Sequence, residues 1–507
     1  MRHKHLLVLV VALLLTVGFL LSPGSAQAQS ARAAQWVVSI TYQNIGTSAT
    51  LVNVQFYPEG SSTAVSYNPL GSGQLQANAG ASFFIGSVQG LASGFRGNAV
   101  MGSSSPLGAT AVQFSQQAGF KMRLLSNGFS TSQVSDQYLV ATTLLNRFSR
   151  TTVFSIQNTT NNSIDATVRF YDSSNGALAA TKTHTIPANS SKYIEMDDPN
   201  DTGLPAGTTT FDGSAIVTAV RTGSSDPAQV VASANELYTN RPVALAFEGL
   251  PLSNASNTVY MATALCQRFG LDTFYAVQNA SLTNPATITV QYRNTDGSNK
   301  ATDGPYQIGP GQKRAITTCS PSDGTNMSSF TGSAVIQSTG APIVAIGKAQ
   351  NSINAGTAAT QDVFTGFLGE RDGASKLALP FVRWASDANF NAASNVGGKQ
   401  RTFIAIQNLG ATAATVVAEY YDKNGNKVGE QTLNIPAFSK GNTDANSAGA
   451  LGKNGMNPGE FGYYTDGSFG GSVTVRAAAS NPTAKFIAIA RVQHPGAGED
   501  YNAIPVP

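Results

Sequence analysis

A phrase that occurs four times along the chain constrains its fold more than any other feature. In each copy an apolar run ends in Gln-Asn, and an aromatic residue, one further residue and a Gly follow more than fifty residues later. The four copies are Gln43-Asn44 with Gly97, Gln157-Asn158 with Gly213, Gln278-Asn279 with Gly332, and Gln407-Asn408 with Gly471. From Asn to Gly the spacing is 53, 55, 53 and 63 residues. Four similar spacings predict four copies of one folding unit.

The residues between these landmarks favour β-structure. Short runs that alternate apolar and polar residues are separated by turns rich in Gly, Asn and Ser, and 41% of the residues are hydrophobic while only 12% are charged. Repeat 2 alone contains seven such runs between residues 139 and 237. Seven short strands in about a hundred residues are typical of a two-sheet sandwich. We therefore expect an all-β protein of four tandem antiparallel β-sandwich modules.

The repeat spacing also sets the expected boundaries. A signal peptide at 1–28 is followed by modules at 29–135, 136–252, 253–372 and 373–507. About 120 residues per module are enough for a separate core. The fourth module carries two inserted loops, around 386–399 and 446–460. Because recognition usually resides in loops on a rigid scaffold, this module is the candidate if one of the four has specialised in binding.

The N-terminus has the features of a secretion signal. Arg2 and Lys4 precede the apolar run 6–21, and Ala26-Gln27-Ala28 forms a small-x-small cleavage site. We expect cleavage after Ala28 and a secreted, extracellular or cell-surface protein without membrane insertion. Loss of Arg2 and Lys4 leaves 29 basic against 28 acidic residues. A nearly neutral chain lacks the basic surface that nucleic acid requires, so we expect no nucleic-acid partner.

Repeat 1 is expected to lack its first strand. In repeats 2 and 3 an Arg at the end of a leading strand, Arg147 or Arg268, lies 11 residues before the Asn of the phrase. The same count back from Asn44 reaches Ala33, so this strand would cross the cleavage site. An unpaired sheet edge would remain. Either a short stub or the segment 115–137 covers that edge, or a strand from another subunit completes it and the protein is a filament subunit.

Both cysteines lie in repeat 3. Cys266 is on the leading strand, and Cys319 is at the end of a strand in the middle of the module. In an oxidising compartment this pair predicts a disulfide that closes a loop of about fifty residues and stabilises the fold by about 4 kcal/mol. The alternative is a pair of buried thiols that act as small apolar side chains.

Few residues are placed to carry chemistry. After signal removal only His184 and His494 remain as histidines, in different repeats, and no metal, nucleophile, Walker or dinucleotide pattern is present. His184 alternates along a strand and is expected to face solvent. Catalytic sites of the triad or zinc type need His beside defined partners. We therefore expect no catalytic residue, no cofactor and no enzymatic activity.

One acidic loop is a candidate cation site. It combines Asp197, Asp198, Asn200 and Asp201, the densest group of oxygen ligands in the chain. Oxygen ligands in a short loop are what Ca²⁺ prefers. The loop does not match an EF-hand, and an ordinary polar loop is the alternative.

The recurrent polar residues have a structural and a functional interpretation. The Gln-Asn pairs could present amides to sugars, but Asn at the end of a strand also satisfies backbone groups of the following turn. We favour the structural role because the pairs occur in every repeat. Arg147, Arg268 and Arg383 each lie beside an aromatic residue, and we expect them to pair with a carboxylate or to stack at the joint between modules.

The combined pattern resembles the tandem immunoglobulin-like or fibronectin-III-like repeats of bacterial surface and secreted proteins. The resemblance is carried by the sequences at 406–408, 420–425, 435–437 and 469–472, which read IQN, YYDKNG, IPA and FGGS. It implies a structural or adhesive role at the cell surface or in the extracellular matrix, with other surface proteins, matrix proteins, glycans or the protein itself as partners. Alternatives are a filament subunit and a carbohydrate-binding array.

Overall fold

The prediction of an all-β protein is confirmed. A computed structural model describes residues 31–115, 122–351, 363–392, 399–453, 468–494 and 497–506, and these residues form antiparallel sheets with only short helical turns. The expected signal peptide lies outside the described residues. Within them, no helix has the length and apolarity needed to cross a bilayer.

Repeat 1 consists of two small sheets. Its strands are β1 (Trp36–Asn44), β2 (Val52–Pro58), β3 (Val65–Tyr67), β4 (Gly80–Phe84), β5 (Gly97–Ser103), β6 (Leu107–Ser115) and β7 (Arg123–Asn127). One sheet has the order β4-β1-β6-β7 and the other has the order β3-β2-β5. Two 3-10 turns, Ala31–Ala33 and Ile85–Ser87, accompany them.

Repeat 2 has the same two sheets with an additional strand at the front. Its strands are β8 (Gln137–Leu145), β9 (Arg150–Asn158), β10 (Ile164–Asp172), β11 (Leu178–Ile186), β12 (Ser191–Glu195), β13 (Phe211–Arg221), β14 (Val230–Tyr238), β15 (Ala244–Glu248) and β16 (Leu250–Pro251), with the helix α1 (Pro199–Thr202) after β12. The sheet orders are β11-β10-β13-β8-β16 and β12-β9-β14-β15. The seven expected strands are all present, and β15 and β16 were not expected.

Repeat 3 follows the same plan. A 3-10 turn at Leu252–Asn254 leads into β17 (Thr258–Cys266), β18 (Leu271–Asn279), β19 (Ala286–Asn294), β20 (Asn299–Ile308), β21 (Lys313–Thr317), β22 (Phe330–Gly340), β23 (Ile343–Asn351) and β24 (Phe364–Leu368). The sheet orders are β17-β22-β19-β20 and β21-β18-β23-β24.

Repeat 4 joins its two sheets into one. Its elements are β25 (Lys376–Trp384), α2 (Asp387–Phe390), β26 (Arg401–Asn408), β27 (Ala414–Tyr421), β28 (Lys427–Ile435), β29 (Lys440–Asp444), β30 (Phe469–Ala477), β31 (Phe486–His494), β32 (Ala497–Asn502) and β33 (Ile504–Pro505). The pair Trp384 and Arg401 connects β25 to β26. Of the two expected inserted loops, the described residues include 386–392 and 399 of the first and 446–453 of the second.

The strands form because apolar side chains alternate along them and pack between the sheets of the same repeat. In β10 every second residue from Ile164 to Phe170 is fully buried. Phe170 packs edge-on against Phe154 and Phe211, with ring centroids 6.4 and 6.3 Å apart. Burial of an aromatic side chain is worth several kcal/mol at about 25 cal/mol per Å². Four buried apolar clusters are each centred on one repeat, and those of repeats 2, 3 and 4 extend onto the next repeat in the ring.

The four repeats close into a ring, which the sequence pattern did not predict. The strands β7, β15, β24 and β32 occupy equivalent positions in the four repeats, and each contacts the next one. The strand β32 of repeat 4 then contacts β7 of repeat 1. A tandem array without linkers is consistent with contacts between sequence neighbours, but the contact between the first and last repeats makes the arrangement circular.

Polar groups at one level connect these four inner strands. The equivalent residues are Asn127, Glu248, Leu368 and Asn502. The backbone N–H of Asn127 donates to the Glu248 carboxylate, and the side-chain Nδ2 of Asn127 donates to the Asn502 carbonyl at 2.6 Å. The Asn502 side chain accepts from the Leu368 N–H at 2.8 Å and donates to the Leu368 carbonyl at 3.0 Å. Backbone groups that face the centre of the ring are thus satisfied by side chains, as burial requires.

The sequence also places a recurrent aromatic residue near the end of each repeat, at Phe247, Phe364 and Tyr501, and this recurrence predicts packing between neighbouring repeats. Phe247 and Tyr501 belong instead to the clusters centred on their own repeats. Phe364 crosses a joint, since its ring lies 5.5 Å from that of Tyr238 in repeat 2.

Candidate functional site: the unpaired edge of repeat 1

Three of the four repeats begin with a leading strand that pairs with a strand of its own repeat and also packs against the next repeat. The leading strands β8, β17 and β25 pair with β13, β22 and β30 of their own repeats. Each also packs against the following repeat in the ring: β8 against repeat 3, β17 against repeat 4 and β25 against repeat 1. A leading strand therefore completes one sheet and seals one joint.

A lysine from the next repeat marks two of these joints. The Lys313 ammonium donates to the Thr142 hydroxyl of β8 at 3.1 Å, and the Lys440 ammonium donates to the Thr263 hydroxyl of β17 at the same distance. Thr142 and Thr263 are the sixth residues of their strands. Burial lowers the pKa of Lys440 to about 7, with the Arg491 charge adding to the effect. Both lysine–threonine hydrogen bonds are therefore buried within their joints.

Repeat 1 has no leading strand among the described residues. The strand β5 corresponds to β13, β22 and β30, and it pairs with β2 alone. The Glu59 N–H donates to the Arg96 carbonyl at 2.9 Å, so the ladder bonds continue at every second residue. Asn98, Val100 and Gly102 consequently face β2, while the N–H and C=O groups of the residues between them point to the open side.

The two segments expected to cover this edge lie elsewhere as far as they are described. The 3-10 turn at Ala31–Ala33 contacts β14 of repeat 2, and the Ala31 N–H donates to the Arg241 carbonyl at 3.0 Å. The segment 115–137 contributes β7, which pairs with β6 at the opposite side of the repeat. Residues 116–121 of that segment lie outside the described residues. The described part of repeat 1 therefore leaves the edge of β5 without a strand partner.

Repeat 2 approaches one end of this edge with an aromatic residue and charges. The Tyr193 hydroxyl donates to the Gly97 carbonyl at 2.8 Å, and the Arg96 guanidinium lies 4.4 Å from the centre of the Tyr193 ring. Arg96 also pairs with Glu59 at 2.7 Å and with Glu195 at 2.5 Å. Partial burial raises the pKa of Glu195, but Arg96 and Arg32 outweigh it and the net shift is downward. Only the Gly97 end of the edge is closed by these contacts.

Two buried polar atoms beside β5 have no partner within the described residues. They are Oδ1 of Asn98 and Oγ of Ser191. Ser191 is opposite Gln157, the position at which repeats 3 and 4 carry Lys313 and Lys440 opposite their own phrase Gln. A buried polar atom without a partner costs about 1–3 kcal/mol. At the joint of repeats 1 and 2, where no leading strand is described, the residue at the lysine position is Ser191, and its hydroxyl has no described hydrogen-bond partner.

A cavity lies on the path to this edge. At the joint of repeats 2 and 3, residues after Pro251 run beside Pro342, where Ser256 and Ile343 exchange two hydrogen bonds, and then enter β17. The equivalent place next to repeat 1 is a cavity of about 240 Å³. It is lined by Ile45, Gly46, Thr47, Ser48, Ser104, Ser105, Pro106, Lys376 and Val506. Among the described residues, no connecting segment occupies this space as one does at the joint of repeats 2 and 3.

The Asn side chains of the repeated phrase each hold two backbone segments together by hydrogen bonds. In each repeat the Asn side chain donates to the carbonyl of a residue four or five positions later and to a carbonyl at the end of a neighbouring strand, as Asn158 does to Asn162 and Ile186 at 2.7 and 3.2 Å. Asn44, Asn279 and Asn408 make the same two bonds. No sugar-binding amide is formed by these four side chains, since all are buried.

Two of the four phrase Gln residues bond across a joint, whereas Gln43, at the joint that β25 fills, does not. The Gln278 amide donates across a joint to the Ala215 carbonyl at 3.1 Å, and Gln407 donates across the next joint to Ala334 at 3.4 Å. Gln43 bonds to Asn78 of its own repeat at 3.3 Å. Gln157 faces the joint of repeats 1 and 2 and is half-buried.

The Gly residues of the phrase allow two strands to approach closely. At Gly97, Gly213, Gly332 and Gly471 an added Cβ would lie 2.1, 2.2, 2.0 and 2.1 Å from a carbonyl oxygen of the neighbouring strand. The aromatic residue two positions earlier covers the same spot, as Phe211 covers Gly213. Any side chain here would displace the sheet partner.

The two cysteines are bonded to each other, whereas the carboxylates of the acidic loop each contact a different group of the protein. Cys266 and Cys319 form a disulfide. Asp198 caps α1 by accepting from the Asn200 N–H at 2.8 Å, whereas Asp201 pairs with Lys192 at 2.6 Å and Asp197 with Arg32 at 3.1 Å. The three carboxylates are thus bound to protein donors, and Asn200 lies in the first turn of α1.

The histidines and arginines depart in part from their expected environments. His184 is half-buried and its Nε2 lies 2.9 Å from the Asp201 carbonyl, so it does not simply face solvent. Arg147 and Arg268 stack on their neighbours Phe148 and Phe269, at 4.8 and 4.9 Å from the ring centres.

Those two Phe residues are features that the sequence pattern did not reveal. Phe148 and Phe269 are 57% and 72% exposed and have φ angles of 55° and 57°. Positive φ is uncommon for a bulky residue. They lie in equivalent turns after β8 and β17, so the ring carries one exposed aromatic turn on each of two repeats.

A search with models of protein families and a search of curated proteins each found no match to this chain.

Proposed function

We propose that this protein is a secreted, non-enzymatic structural or adhesive component of a cell surface or extracellular matrix, built from four immunoglobulin-like modules. One observation carries the proposal: the residues that recur in all repeats are used to hold backbone to backbone. Asn158 clasps a turn, Gln278 bridges a joint and Gly213 permits close strand contact. Residues that recur because they hold the backbone in place are typical of a structural scaffold.

The assignment of immunoglobulin-like modules rests on the pairing of strands. Repeats 2 and 3 each combine two antiparallel sheets of four or five strands around one buried core. Most strands that follow each other in sequence lie in different sheets, as β8 and β9 do, whereas β10 with β11 and β14 with β15 are hairpins within one sheet. This is the architecture of a sandwich with crossing connections. Other surface proteins, matrix proteins or glycans are the expected partners.

Localisation and adhesion test the proposal together. We expect an epitope-tagged full chain to be found outside the cell, and surfaces coated with the processed chain 29–507 to retain matrix proteins or cells more strongly than surfaces coated with albumin. A panel of glycosidase, esterase and peptidase substrates is expected to remain unchanged. Retention in the cytoplasm, or turnover of any substrate, would contradict the proposal.

The unpaired edge of β5 favours a second candidate function. An edge with free N–H and C=O groups is a template for another strand, and strand addition joins subunits in extracellular fibres. The second candidate is therefore a filament subunit assembled by strand complementation. Sedimentation of the processed chain from low to high concentration tests it, with concentration-dependent assembly as the expected result and a monomer throughout as the contrary one.

The carbohydrate-binding alternative has less support. Sugar-binding arrays present open aromatic faces, but Trp384 is only 7% exposed and is covered by Arg401 at 4.8 Å from its ring. Trp36, the other tryptophan, is half-buried beside the cluster of Met122 and Leu124. Neither indole offers a platform for a sugar ring, and the exposed rings of Phe148 and Phe269 each have one face covered by an Arg.

A further inference from the structure

We propose that the edge of β5 accepts an extended strand from a separate polypeptide, and that this strand has the chemistry of the leading strands β8, β17 and β25. The inference rests on the second candidate function in taking β5 as an edge for strand addition, and it differs from that function in the source of the strand, which is a separate polypeptide and not a further copy of this chain. The molecule contains three filled versions of the same site, so the missing occupant can be deduced from them.

The register of the incoming strand follows from the filled sites. In repeat 2, Ala215 lies opposite Val140 and Val217 lies opposite Tyr138. In repeat 3, Ala334 lies opposite Met261 and Ile336 opposite Val259. Counting from the phrase Gly, the corresponding residues of β5 are Ala99 and Met101. The incoming strand thus runs antiparallel to β5 and places large apolar side chains opposite these two residues.

The side chains around β5 are prepared for such a strand. Ala99 and Met101 are half-buried against the cluster that contains Val54 and Phe56, so their side chains face the core of repeat 1. The partner's side chains opposite them would extend this core, as Tyr138 and Val140 extend the core of repeat 2. Apolar burial and a ladder of backbone hydrogen bonds would then act together.

A bulge gives the incoming strand a second signature. In all three leading strands the register shifts by one residue opposite the residue after the phrase Gly, for example between Gly213 and Ala215. The equivalent residue of repeat 1 is Asn98, whose Oδ1 is buried without a partner in the described part of the chain. An N–H or hydroxyl of a bulged partner residue would satisfy it. The partner's bulge is therefore expected to carry small or hydroxyl side chains, as Ala141-Thr142 do in β8 and Ala262-Thr263 do in β17, and not the Pro380-Phe381 pair of β25.

Segments within the described chain do not fit the site. The strands with the required chemistry, β8, β17 and β25, are already paired in their own sheets, so a second copy could donate one only by opening a filled joint. The residues nearest in sequence, 31–35, read ARAAQ and lack alternating large apolar side chains. We therefore assign the strand to another polypeptide.

The residue opposite the phrase Gln differs between joints: it is Lys in repeats 3 and 4, Gly80 in repeat 1 and Ser191 next to the open edge. Lys313 and Lys440 fasten the leading strands of the preceding repeats through Thr142 and Thr263. Ser191 holds this position next to repeat 1, is 1% exposed, and its hydroxyl has no described partner. A short hydroxyl leaves room for a strand that arrives later, and the cavity beside Val506 gives that strand a path past the end of β5.

Peptide binding to the processed chain 29–507 tests the inference. The probe is a fluorescein-labelled peptide with the sequence of β8, QYLVATTLL, and the control peptide has Asp at its Tyr, Val and final Leu positions. We expect saturable binding of one probe per monomer by anisotropy and no binding of the control. Ala99→Pro removes an outward N–H without touching the ladder to β2, and it is expected to weaken binding about tenfold or more. Ser82→Pro serves as the matched substitution on the edge strand β4, away from β5, because the N–H of Ser82 also points away from its ladder to β1, and it is expected to bind the probe like the parent.

The outcomes separate the inference from the function on which it rests. A monomer in sedimentation that binds the probe supports the inference even if the protein never assembles alone. Assembly of the parent that Ala99→Pro abolishes would identify the occupant as a second copy and overturn the assignment to a separate polypeptide. A folded monomer, verified by circular dichroism, that fails to bind the probe, or that binds it equally well with Ala99→Pro, would overturn the inference outright.

Discussion

At the scale of single residues, the repeated phrase combines three different structural tasks. The Asn closes a turn within a repeat, the Gly admits a neighbouring carbonyl, and the Gln reaches across a joint. The first two tasks recur in all four repeats. The Gln bridges a joint only where a leading strand fills that joint, so Gln278 and Gln157 have the same sequence context and different surroundings.

This contrast predicts different costs for one substitution. Gln278→Ala removes a buried amide that donates to two carbonyls, at 3.1 and 3.3 Å. We expect a loss of about 2 kcal/mol in the free energy of unfolding, since two buried acceptors lose a donor. Gln157→Ala is the matched control and is expected to cost less than about 0.5 kcal/mol. Urea denaturation measures both, and equal costs would contradict the assignment of Gln278 to joint stability.

The buried Glu248 predicts a pH dependence. Burial raises its pKa to about 7, against an ordinary value of 4.5, although the Asn127 N–H bond opposes the shift. The folded state therefore holds a proton that the unfolded state releases between these values. The stabilisation is complete below pH 4.5 and is lost as the pH rises to about 7.

We expect Glu248→Gln to flatten this dependence. The melting temperature of the parent should fall between pH 5 and pH 7, and that of the variant should fall less, with the two closest at pH 5. The range is limited to pH 7 because Lys440, whose pKa burial lowers to about 7, contributes in the opposite direction at higher pH. Parallel curves for parent and variant would show that Glu248 is not the titrating group.

At the scale of elements, the sequence predicted the sheet pattern better than it predicted what covers each edge. Alternating burial and positive-φ turns at Gly176, Gly297 and Gly425 follow from local composition, and the strands of repeat 2 were predicted within a few residues. The count from Asn44 predicted that repeat 1 lacks its leading strand, and no such strand is present among the described residues. Local pattern could not show that β7 joins β6, because strand pairing depends on distant partners.

Proline substitution distinguishes the open edge from a paired strand. Ala99 and Ala215 are equivalent residues of β5 and β13, but the N–H of Ala215 faces β8 whereas that of Ala99 faces the open side. We expect Ala99→Pro to change the free energy of unfolding by less than about 1 kcal/mol and Ala215→Pro to cost about 3 kcal/mol or more. Thermal denaturation checks the pair. Equal destabilisation would mean that the Ala99 N–H is already bonded.

Part of the site also had a signal in the sequence that was overlooked. Ser191, Lys313 and Lys440 each lie five residues after an Ile that ends a strand, at Ile186, Ile308 and Ile435. Repeat 2 has Ser in place of this Lys next to the joint without a described leading strand, and repeat 1 has Gly80 next to the joint that β25 fills, so both joints share this signal. Tyr193 and the cavity beside Val506 had no such signal, because both depend on how neighbouring repeats approach each other.

At the scale of the whole molecule, the ring depends on close contact between repeats 4 and 1. Gly425 has a φ of +86°, and an added Cβ would lie 2.3 Å from the Ala77 carbonyl oxygen. The Gly80 N–H also donates to the Lys423 carbonyl of repeat 4 at 3.1 Å. The ring was not predictable from sequence because no pattern within one repeat encodes the position of its partner three repeats away.

A glycine substitution tests whether this contact closes the ring. We expect Gly425→Ala to lower the melting temperature and to increase the radius of gyration in small-angle X-ray scattering, because the added methyl group collides with repeat 1. Gly207→Ala is the matched control, since Gly207 has a φ of +85° and no heavy atom within 4 Å of the added Cβ. It carries the same backbone strain of about 1 kcal/mol without the collision. A larger radius in both variants, or in neither, would contradict a ring sealed at this joint.

Amide hydrogen exchange of the monomeric processed chain tests the central claim, an unfilled strand site in a closed ring of four repeats, most directly. Ala99 and Met101 correspond to Ala215 and Val217, whose N–H groups face the leading strand β8. Exchange reports whether a backbone amide is hydrogen-bonded or open. We predict that the amides of Ala99 and Met101 exchange at least about a hundredfold faster than those of Ala215 and Val217 and become protected when the β8 peptide is added. Equal protection of the two pairs in the monomer without peptide would show that the edge of β5 is already covered.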